Sequence, residues 1–215
     1  MIQAVLFDLD GTLADTALDL GGALNTLLRR RGLPEKDIAD IRPYAGHGVA
    51  GLLKIGFGIM PDHPDFAALR QEYLDTYGEC YAEDTVLFEG VNEMLLELEK
   101  RGIRWGIITN KIAAFTDKLV PKLAFVVPPA VVVSGDTCDE SKPSVKPMLY
   151  ACEKIGVAPQ YALYVGDAER DMQAGRNAGM KTVLAQWGYI TPEEQPETWS
   201  ADYRISFAQE VSALL

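Results

Sequence analysis

Two aspartates close to the N-terminus are the residues best suited to chemistry. Asp8 and Asp10 follow the apolar run AVLF within the segment DLDGT, and Gly11 permits a sharp turn directly after them. Side chains two residues apart at a strand end point to the same side, so the carboxylates would repel each other without a cation between them. Magnesium prefers such oxygen ligands, and a carboxylate can also be a nucleophile that forms an aspartyl-phosphate. We therefore predict a magnesium site with a nucleophilic carboxylate, the alternative being a turn with two solvated acids.

A hydroxyl group and a backbone cradle follow a second apolar run, RWGIIT. Thr109 ends this run, and the backbone N–H groups of Asn110 and Lys111 come directly after it. Successive N–H groups at such a turn form a small anion-binding concavity. The segment therefore predicts a phosphate site, although Thr109 taken alone could equally be a helix N-cap.

One lysine, Lys142, stands before a proline that fixes the local backbone and could direct the lysine side chain. A desolvated ammonium group there would hold a nucleophilic carboxylate and a phosphoryl group together. A single lysine is more often a solvated surface residue, and Lys146 is a second candidate four residues further on. We predict that Lys142 is the catalytic lysine.

Two further acids, Asp167 and Asp171, follow Gly166 at a spacing of i and i+4. In a helix that begins here, Asp167 would cap the first turn beside the metal, and Asp171 would lie one turn inside. The alternative is a pair of acids that interact only with the helix dipole. The similar pair Gly135 and Asp136 is not followed by a second acid at this spacing, so we predict no catalytic role for it.

The segments with these residues lie at or near the ends of short, apolar runs that look like buried strands. Such runs alternate with amphipathic helical stretches, which is typical of an α/β fold with a doubly wound parallel sheet. Ligands bind beyond the carboxyl ends of the strands in sheets of this kind. The predicted strands are Gln3–Asp8, Arg104–Thr109, Ala130–Ser134, Tyr161–Gly166, Lys181–Ala185 and a short one near Tyr203–Ile205, and the predicted core helices are Asn92–Lys100, Pro147–Ile155 and Arg170–Ala178.

The alternation is broken between residues 15 and 84, where no strand is predicted. Leu18–Arg31 and Phe66–Tyr81 have helical patterns, and the glycine-rich stretch GHGVAGLLKIGFG lies between them. A segment of about 70 residues is too long for a loop inside a compact core. We therefore predict a small inserted α-helical cap over residues 15–84, above the DLDGT turn, with residues 1–14 and 85–215 forming the α/β core.

Charge and composition exclude several classes of protein. The net charge of −11 would repel nucleic acid and anionic membranes. It would also repel a phosphorylated metabolite, so an enzyme for such a substrate needs local positive charge. No apolar run reaches the roughly 18 residues that span a bilayer, and no secretory signal is recognisable, so we predict a cytoplasmic protein. The spacing of Cys80, Cys138 and Cys152 suggests neither disulfides nor a zinc site.

Four segments together resemble the haloacid dehalogenase superfamily of phosphohydrolases. They are DLDGTLADT at Asp8–Thr16, TNK at Thr109–Lys111, KP at Lys142–Pro143 and GDAERD at Gly166–Asp171, in the order and spacing of that family. The resemblance implies Mg²⁺ as the cofactor and a small phosphorylated metabolite as the substrate. It also implies that the helical insert is a type-1 cap, which screens the site from water and selects the leaving group.

The resemblance further implies a role for each motif acid. Asp8 would be the nucleophile and a magnesium ligand, and Asp10 would be the general acid/base that binds the metal through its backbone carbonyl. Lys142 would neutralise the charge of the nucleophile and the phosphoryl group. Asp167 would be another metal ligand, and Asp171 would complete the metal cluster by orienting the metal's water or Lys142.

Substrate contacts are expected from the core and from the cap. By the same resemblance, Thr109 and the amide of Asn110 would hold the phosphate, and we also assign Gly11 to substrate binding. In the cap, Arg42 and His47 within IRPYAGHGVAG are candidates to meet the distal end of the substrate, the alternative being that they are ordinary cap residues.

Within the superfamily, the chain looks most like the phosphoglycolate phosphatases. The stretches LFEGVNEMLLELEKRGIRWGIITNK and GYITPEEQPETW also resemble N-acetylmuramic acid 6-phosphate phosphatases. A phosphomutase, a dehalogenase and a non-catalytic binding protein on the same fold are the other possibilities. The sequence leaves the choice between a monomer and a homodimer open.

Overall fold

The computed structural model describes residues 1–215, and strands alternate with helices along most of the chain. The strands are β1 (Ala4–Phe7), β2 (Ala14–Asp15), β3 (Val86–Leu87), β4 (Arg104–Ile108), β5 (Val131–Val133), β6 (Ala162–Gly166), β7 (Lys181–Ala185) and β8 (Tyr203–Ile205). The helices are α1 (Ala17–Arg30), α2 (Ile38–Ala45), α3 (Gly48–Phe57), α4 (Phe66–Cys80), α5 (Val91–Lys100), α6 (Ala113–Leu119), α7 (Lys146–Ile155) and α8 (Glu169–Asn177). Short 3₁₀ helices lie at Val120–Lys122, Pro159–Tyr161, Pro196–Thr198 and Ala208–Leu214.

Six parallel strands form the main sheet, in the order β5-β4-β1-β6-β7-β8. At the end of the central strand β1, Phe7 lies opposite Ile107 of β4 and Val165 of β6. The carboxyl ends of these three strands therefore meet at one edge of the sheet. The prediction of an α/β fold with a doubly wound parallel sheet is confirmed.

Alternate residues of β1 face opposite sides of the sheet and belong to two separate cores. Val5 and Phe7 pack into a cluster that includes apolar residues of α5, whereas Ala4 and Leu6 pack into a cluster with residues of α7. A strand covered by helices on both faces must be apolar at every position, which explains the continuous run AVLF.

Helices α1 to α4 pack around an apolar cluster of their own, which lies within the segment predicted as a cap. Leu24 of α1, Leu52 and Leu53 of α3 and Tyr73 of α4 are fully buried in it. The two ends of the segment come together because β2 pairs with β3 in an antiparallel arrangement, with Asp15 opposite Val86. The division into an α/β core and a helical cap stays a prediction.

The glycine-rich stretch is more regular than the sequence analysis suggested. It contains the whole of α3, and α2 precedes it, although neither helix is among the predicted ones. Gly56 of α3 faces α1 so closely that a Cβ atom there would lie 2.6 Å from Cδ1 of Leu24. Packing between helices therefore outweighs the low helix propensity of glycine.

The structure also describes the apolarity of the helices and the state of the three cysteines. None of the helices combines the length and the apolarity that crossing a bilayer requires. Cys80, Cys138 and Cys152 are all free thiols.

Candidate active site

Asp8 is the first residue after the central strand β1, and it is almost completely buried. Its backbone N–H donates to the carbonyl of Val165 (2.9 Å), and its Oδ1 accepts a hydrogen bond from the N–H of Leu9 (2.7 Å). Burial raises the pKa of Asp8 above its ordinary 3.8, although the nearby ammonium of Lys142 opposes the shift. The carboxylate is thus held rigidly in a place where its charge requires compensation.

Two further buried carboxylates lie beside Asp8. Each of Asp8, Asp167 and Asp171 offers an oxygen within 4.8 Å of the others. Burial raises the pKa of Asp167 to about 7, and the charges of Asp8 and Asp171 add to the shift. This set of three hard oxygen donors with unfavourable mutual repulsion fits a divalent cation such as Mg²⁺.

The Asp10 side chain does not belong to this cluster of three carboxylates. Its Oδ1 accepts a hydrogen bond from Oγ1 of Thr16 (2.7 Å) and lies 3.2 Å from Nζ of Lys111. Burial alone would lower the pKa of Lys111, but the contacts of Lys111 with Asp10 and Tyr77 together outweigh that effect and raise its pKa. Of the four acids assigned to the metal cluster, the structure therefore brings three together by their side chains.

Lys142 is buried in the centre of the site. Its Nζ lies 3.0 Å from Oδ1 of Asp8 and 2.8 Å from Oδ1 of Asp171, and it donates to the hydroxyl of Tyr164 (2.8 Å). Lys146 is exposed instead and pairs with Asp139 at 2.7 Å. The structure thus brings the first of the two candidate lysines to Asp8 and leaves the second at the surface.

Asn110 holds the backbone around Lys142. Its side-chain amide donates to the carbonyl of Lys142 (2.9 Å), and its Oδ1 accepts from the N–H of Lys142 (3.0 Å). Thr109 follows β4 and lines the main cavity, where its Oγ1 accepts from the N–H of Lys111 (3.1 Å). The structure therefore adds a positioning role for the Asn110 side chain that the sequence did not indicate.

Asp167 is fixed by hydrogen bonds from two distant segments. Oγ1 of Thr12 donates to its Oδ1 (2.8 Å), and the N–H of Tyr189 donates to its Oδ2 (2.8 Å). Gly11 has a φ of 82°, and a Cβ atom there would overlap the Asp167 carboxylate. Gly11 is not among the residues that line the main cavity, and the close approach of Asp167 requires a glycine at this position.

Asp171 lies at the first turn of α8 but is not one turn inside a helix capped by Asp167. The N-cap is Ala168, whose N–H donates to Oδ2 of Asp171 (3.1 Å). The prediction that Asp167 caps the helix is wrong, because both oxygens of Asp167 already accept hydrogen bonds from Thr12 and Tyr189.

Two basic residues in the site were not among the predicted ones. Besides Lys111, Arg170 lines the cavity, and its Nη2 lies 3.8 Å from Oδ2 of Asp8. The buried Nε of Arg170 has no hydrogen-bond partner in the protein. Both residues belong to the recognised motifs TNK and GDAERD, so the need for local positive charge in an acidic protein was a signal that could have identified them.

A cavity of about 470 Å³ extends from this site to helices α1, α3 and α4. His47 lines it, and Nε2 of His47 lies 3.2 Å from Oε1 of Glu194. Arg42 does not line the cavity, because Nη2 of Arg42 binds Oδ2 of Asp15 (2.7 Å). Of the two candidate substrate contacts in the cap, the structure thus brings only His47 to the cavity.

The Gly135–Asp136 pair lies outside the site. Oδ1 of Asp136 accepts a hydrogen bond from the N–H of Ala113 (2.8 Å), at the first residue of α6. Neither residue of the pair lines the cavity.

Comparison with known proteins gives the family. The model of the haloacid dehalogenase-like hydrolases matches residues 5–185. An N-acetylmuramic acid 6-phosphate phosphatase of Pseudomonas aeruginosa is 37% identical over 214 residues, which are 100% of this chain and 95% of the relative. A phosphoglycolate phosphatase of Xanthomonas campestris pv. campestris is 42% identical over 206 residues, which are 94% and 91% of the two chains.

Solved structures share the same fold. A hydrolase of the haloacid dehalogenase-like family from Streptococcus pneumoniae superposes with a TM-score of 0.83 at 23% identity, covering 99% of this chain and 98% of the other. At this identity the likeness concerns the fold alone.

Proposed function

Because the chain belongs to the haloacid dehalogenase-like hydrolases, we propose that it is a magnesium-dependent phosphomonoester hydrolase of the cytoplasm. The observation that supports this most strongly is the buried Asp8 carboxylate, which lies 3.0 Å from the ammonium of Lys142 and beside two further carboxylates. A buried nucleophile of this kind needs positive charge to approach a phosphate dianion, and the site supplies it from lysine and from a cation.

In the first half of the reaction, Asp8 attacks the phosphorus of the substrate. The ester P–O bond breaks with its electron pair on the leaving oxygen, and Asp10 donates a proton to that oxygen. In the second half, water attacks the phosphorus of the aspartyl-phosphate while Asp10 accepts a proton from the water. The bond between phosphorus and Asp8 then breaks, and inorganic phosphate leaves with the carboxylate restored.

Other residues orient and neutralise the reacting groups. Lys142 and Arg170 offset the charge of the nucleophile and of the phosphoryl oxygens, and Thr109 offers its hydroxyl to one of them. Lys111 and Thr16 hold the Asp10 carboxylate in place through their contacts with its Oδ1.

Mg²⁺ would be held by Asp8, Asp167 and the backbone carbonyl of Asp10, and it would supply the charge that stabilises the transferring phosphoryl group. Oδ1 of Asp171 pairs with the ammonium of Lys142 and its Oδ2 accepts from the N–H of Ala168, whereas both oxygens of Asp167 have only uncharged partners, in Thr12 and Tyr189. We therefore assign Asp171 to the orientation of Lys142 and of the metal's surroundings rather than to direct ligation.

Hydrolysis of p-nitrophenyl phosphate tests the proposal. We expect turnover with Mg²⁺ and loss of turnover in EDTA, because the carboxylate cluster lacks the cation that neutralises it. Absence of turnover with Mg²⁺ would favour a non-catalytic binding protein, and turnover that persists in EDTA would favour a metal-independent reaction such as dehalogenation. A phosphomutase would return the phosphoryl group to a sugar, so it would produce isomerised sugar phosphate instead of inorganic phosphate.

For the substrate, 2-phosphoglycolate is the first candidate, by similarity to the Xanthomonas relative. N-acetylmuramic acid 6-phosphate is the second, by similarity to the Pseudomonas relative, and the cavity favours it. A space of about 470 Å³ is typical of sites for ligands larger than a two-carbon leaving group. Comparison of kcat/KM for the two compounds would decide between them.

A further inference from the structure

One face of helix α4 lines the cavity opposite the motif residues. Phe66, Arg70, Tyr73, Leu74 and Tyr77 all contribute to the lining. Their spacing of three and four residues places them on the same side of the helix. Four of the five are apolar or aromatic, so the single charge among them, on Arg70, stands out.

Arg70 differs from the other basic residues of the cavity. Lys111, Arg170 and His47 lie 3.2 to 3.8 Å from a carboxylate oxygen of the protein, whereas Arg70 forms no salt bridge and no side-chain hydrogen bond. An acidic protein with a net charge of −11 thus leaves one guanidinium of this cavity without an acidic partner. Its donors are available to an anion that enters the cavity.

The position of Arg70 along α4 places that anion away from the reacting end of the cavity. The hydroxyl of Tyr77 lies 3.2 Å from Nζ of Lys111, which contacts Asp10, so Tyr77 marks the reacting end of the cavity. Arg70 precedes Tyr77 by two helical turns, a rise of roughly 10 Å along the helix. Tyr73 and Leu74 occupy the intervening turn.

We infer that Arg70 binds a carboxylate on the leaving group and thereby selects phosphomonoesters of sugar acids or similarly long hydroxy acids. This inference rests on the proposed function and adds the class of substrate. Arginine binds carboxylates through two parallel hydrogen bonds, and the aromatic side chains of α4 offer flat apolar surfaces to the body of a sugar. A two-carbon leaving group is too short to span the roughly 10 Å along α4 between Tyr77 and Arg70.

Two matched substrates isolate the carboxylate. N-acetylmuramic acid 6-phosphate differs from N-acetylglucosamine 6-phosphate only by the lactyl ether that bears the acid. For the unaltered enzyme we expect a higher kcat/KM with the acid. In Arg70→Gln, we expect kcat/KM for the acid to fall about ten- to hundredfold, chiefly through KM, because a charge-assisted hydrogen bond is lost. The value for N-acetylglucosamine 6-phosphate should stay unchanged.

Two further variants serve as controls. Arg70→Lys keeps the charge without the planar pair of donors and should restore part of the preference for the acid. Arg29→Gln removes an arginine of helix α1 that is exposed and pairs with Glu35. It should leave the kinetics of both substrates unchanged.

Equal loss on both sugar phosphates in Arg70→Gln, or no loss on either, would overturn the assignment. Equal efficiency of the unaltered enzyme on the two compounds would overturn it as well. Hydrolysis of p-nitrophenyl phosphate separates this failure from that of the proposed function. If the unaltered enzyme cleaves p-nitrophenyl phosphate with Mg²⁺ and Arg70 has no selective effect, only the inference about Arg70 fails.

Discussion

At the scale of single residues, the site is a set of buried charges, and each of them needs an opposite charge beside it. Asp8, Asp167 and Asp171 are buried together, and the one buried lysine between them, Lys142, cannot neutralise all three. Burial raises the pKa of Asp167 to about 7, and the negative charges of Asp8 and Asp171 add to this shift. The remaining negative charge is the physical basis for the magnesium site that we propose.

The raised pKa of Asp167 predicts how pH alters the effect of Mg²⁺ on stability. The unfolded chain releases this proton near 3.8 and the folded protein near 7, so the folded state gains stability from the group at low pH and loses it as pH rises towards 7. Mg²⁺ binds the ionised carboxylate and competes with the proton. The stabilisation by Mg²⁺ should therefore be larger at a pH of about 8 than at about 5.5.

Thermal unfolding with and without Mg²⁺ at the two pH values measures this effect. Each kcal/mol of stabilisation raises Tm by roughly 2–4 °C in a chain of this size. Asp167→Asn is the control, because it removes both the titrating group and a ligand, so the Mg²⁺-dependent shift should nearly disappear. An equal shift in Tm at both pH values would contradict the prediction.

Lys142 and Lys146 provide a matched pair for a second prediction. Lys142→Met removes the ammonium that contacts Asp8 and Asp171, so kcat should fall about 10²- to 10³-fold. The metal-free protein should lose on the order of 3 kcal/mol of unfolding free energy, because two buried carboxylates lose their partner. Lys146→Met alters only exposed ion pairs and should change neither quantity.

Steady-state kinetics and urea unfolding of the two variants make the comparison. A larger effect on kcat from Lys146→Met than from Lys142→Met would reverse the assignment of the catalytic lysine.

At the scale of elements, the strands position the site and the helices near it were harder to predict. The continuous apolar runs that end in polar residues identified β1, β4 and β6, because strands buried on both faces have few other possible sequences. The helix α2 escaped prediction because it contains Pro43, and α3 escaped prediction because it contains glycines such as Gly56, which is required by close packing against Leu24. Such contacts between distant segments have no local pattern in the sequence.

Tyr189 forms another contact between distant segments that has no local pattern in the sequence, and it supports a third prediction. Its hydroxyl accepts hydrogen bonds from the N–H groups of Thr16 (2.7 Å) and Ala17 (2.9 Å) at the start of α1. Tyr189→Phe leaves the N–H of Thr16 without a partner and the N–H of Ala17 with only a 3.4 Å contact to Oδ1 of Asp15, so the unfolding free energy should fall by about 1–3 kcal/mol. Nothing in the sequence near Tyr189 indicates this contact with a residue more than 170 positions away.

Urea unfolding monitored by circular dichroism measures the change in Tyr189→Phe. Tyr161→Phe is the matched control, since Tyr161 is exposed and its hydroxyl forms no hydrogen bond within the protein. Equal stability of the two variants would contradict the capping role of Tyr189.

At the scale of the whole molecule, an acidic protein concentrates positive charge in one cavity. The net charge is −11, yet Lys111, Lys142, Arg170 and Arg70 all lie in or beside the site. The sequence indicated the need for such charge and identified Lys142, but the contribution of Arg70 depends on how α4 packs against α1 and α3. The fold and the motif residues were therefore predictable, whereas the surroundings that select a substrate were not.

The proposed reaction depends on Asp8, because this carboxylate would form the aspartyl-phosphate. After acid quenching of a reaction with radiolabelled phosphomonoester and Mg²⁺, the peptide that contains Asp8 should bear the labelled phosphate. Asp8→Asn should keep the fold, show no label, and lose activity by about 10³-fold or more. Turnover like that of the unaltered enzyme in Asp8→Asn, or label on a different residue, would contradict the account.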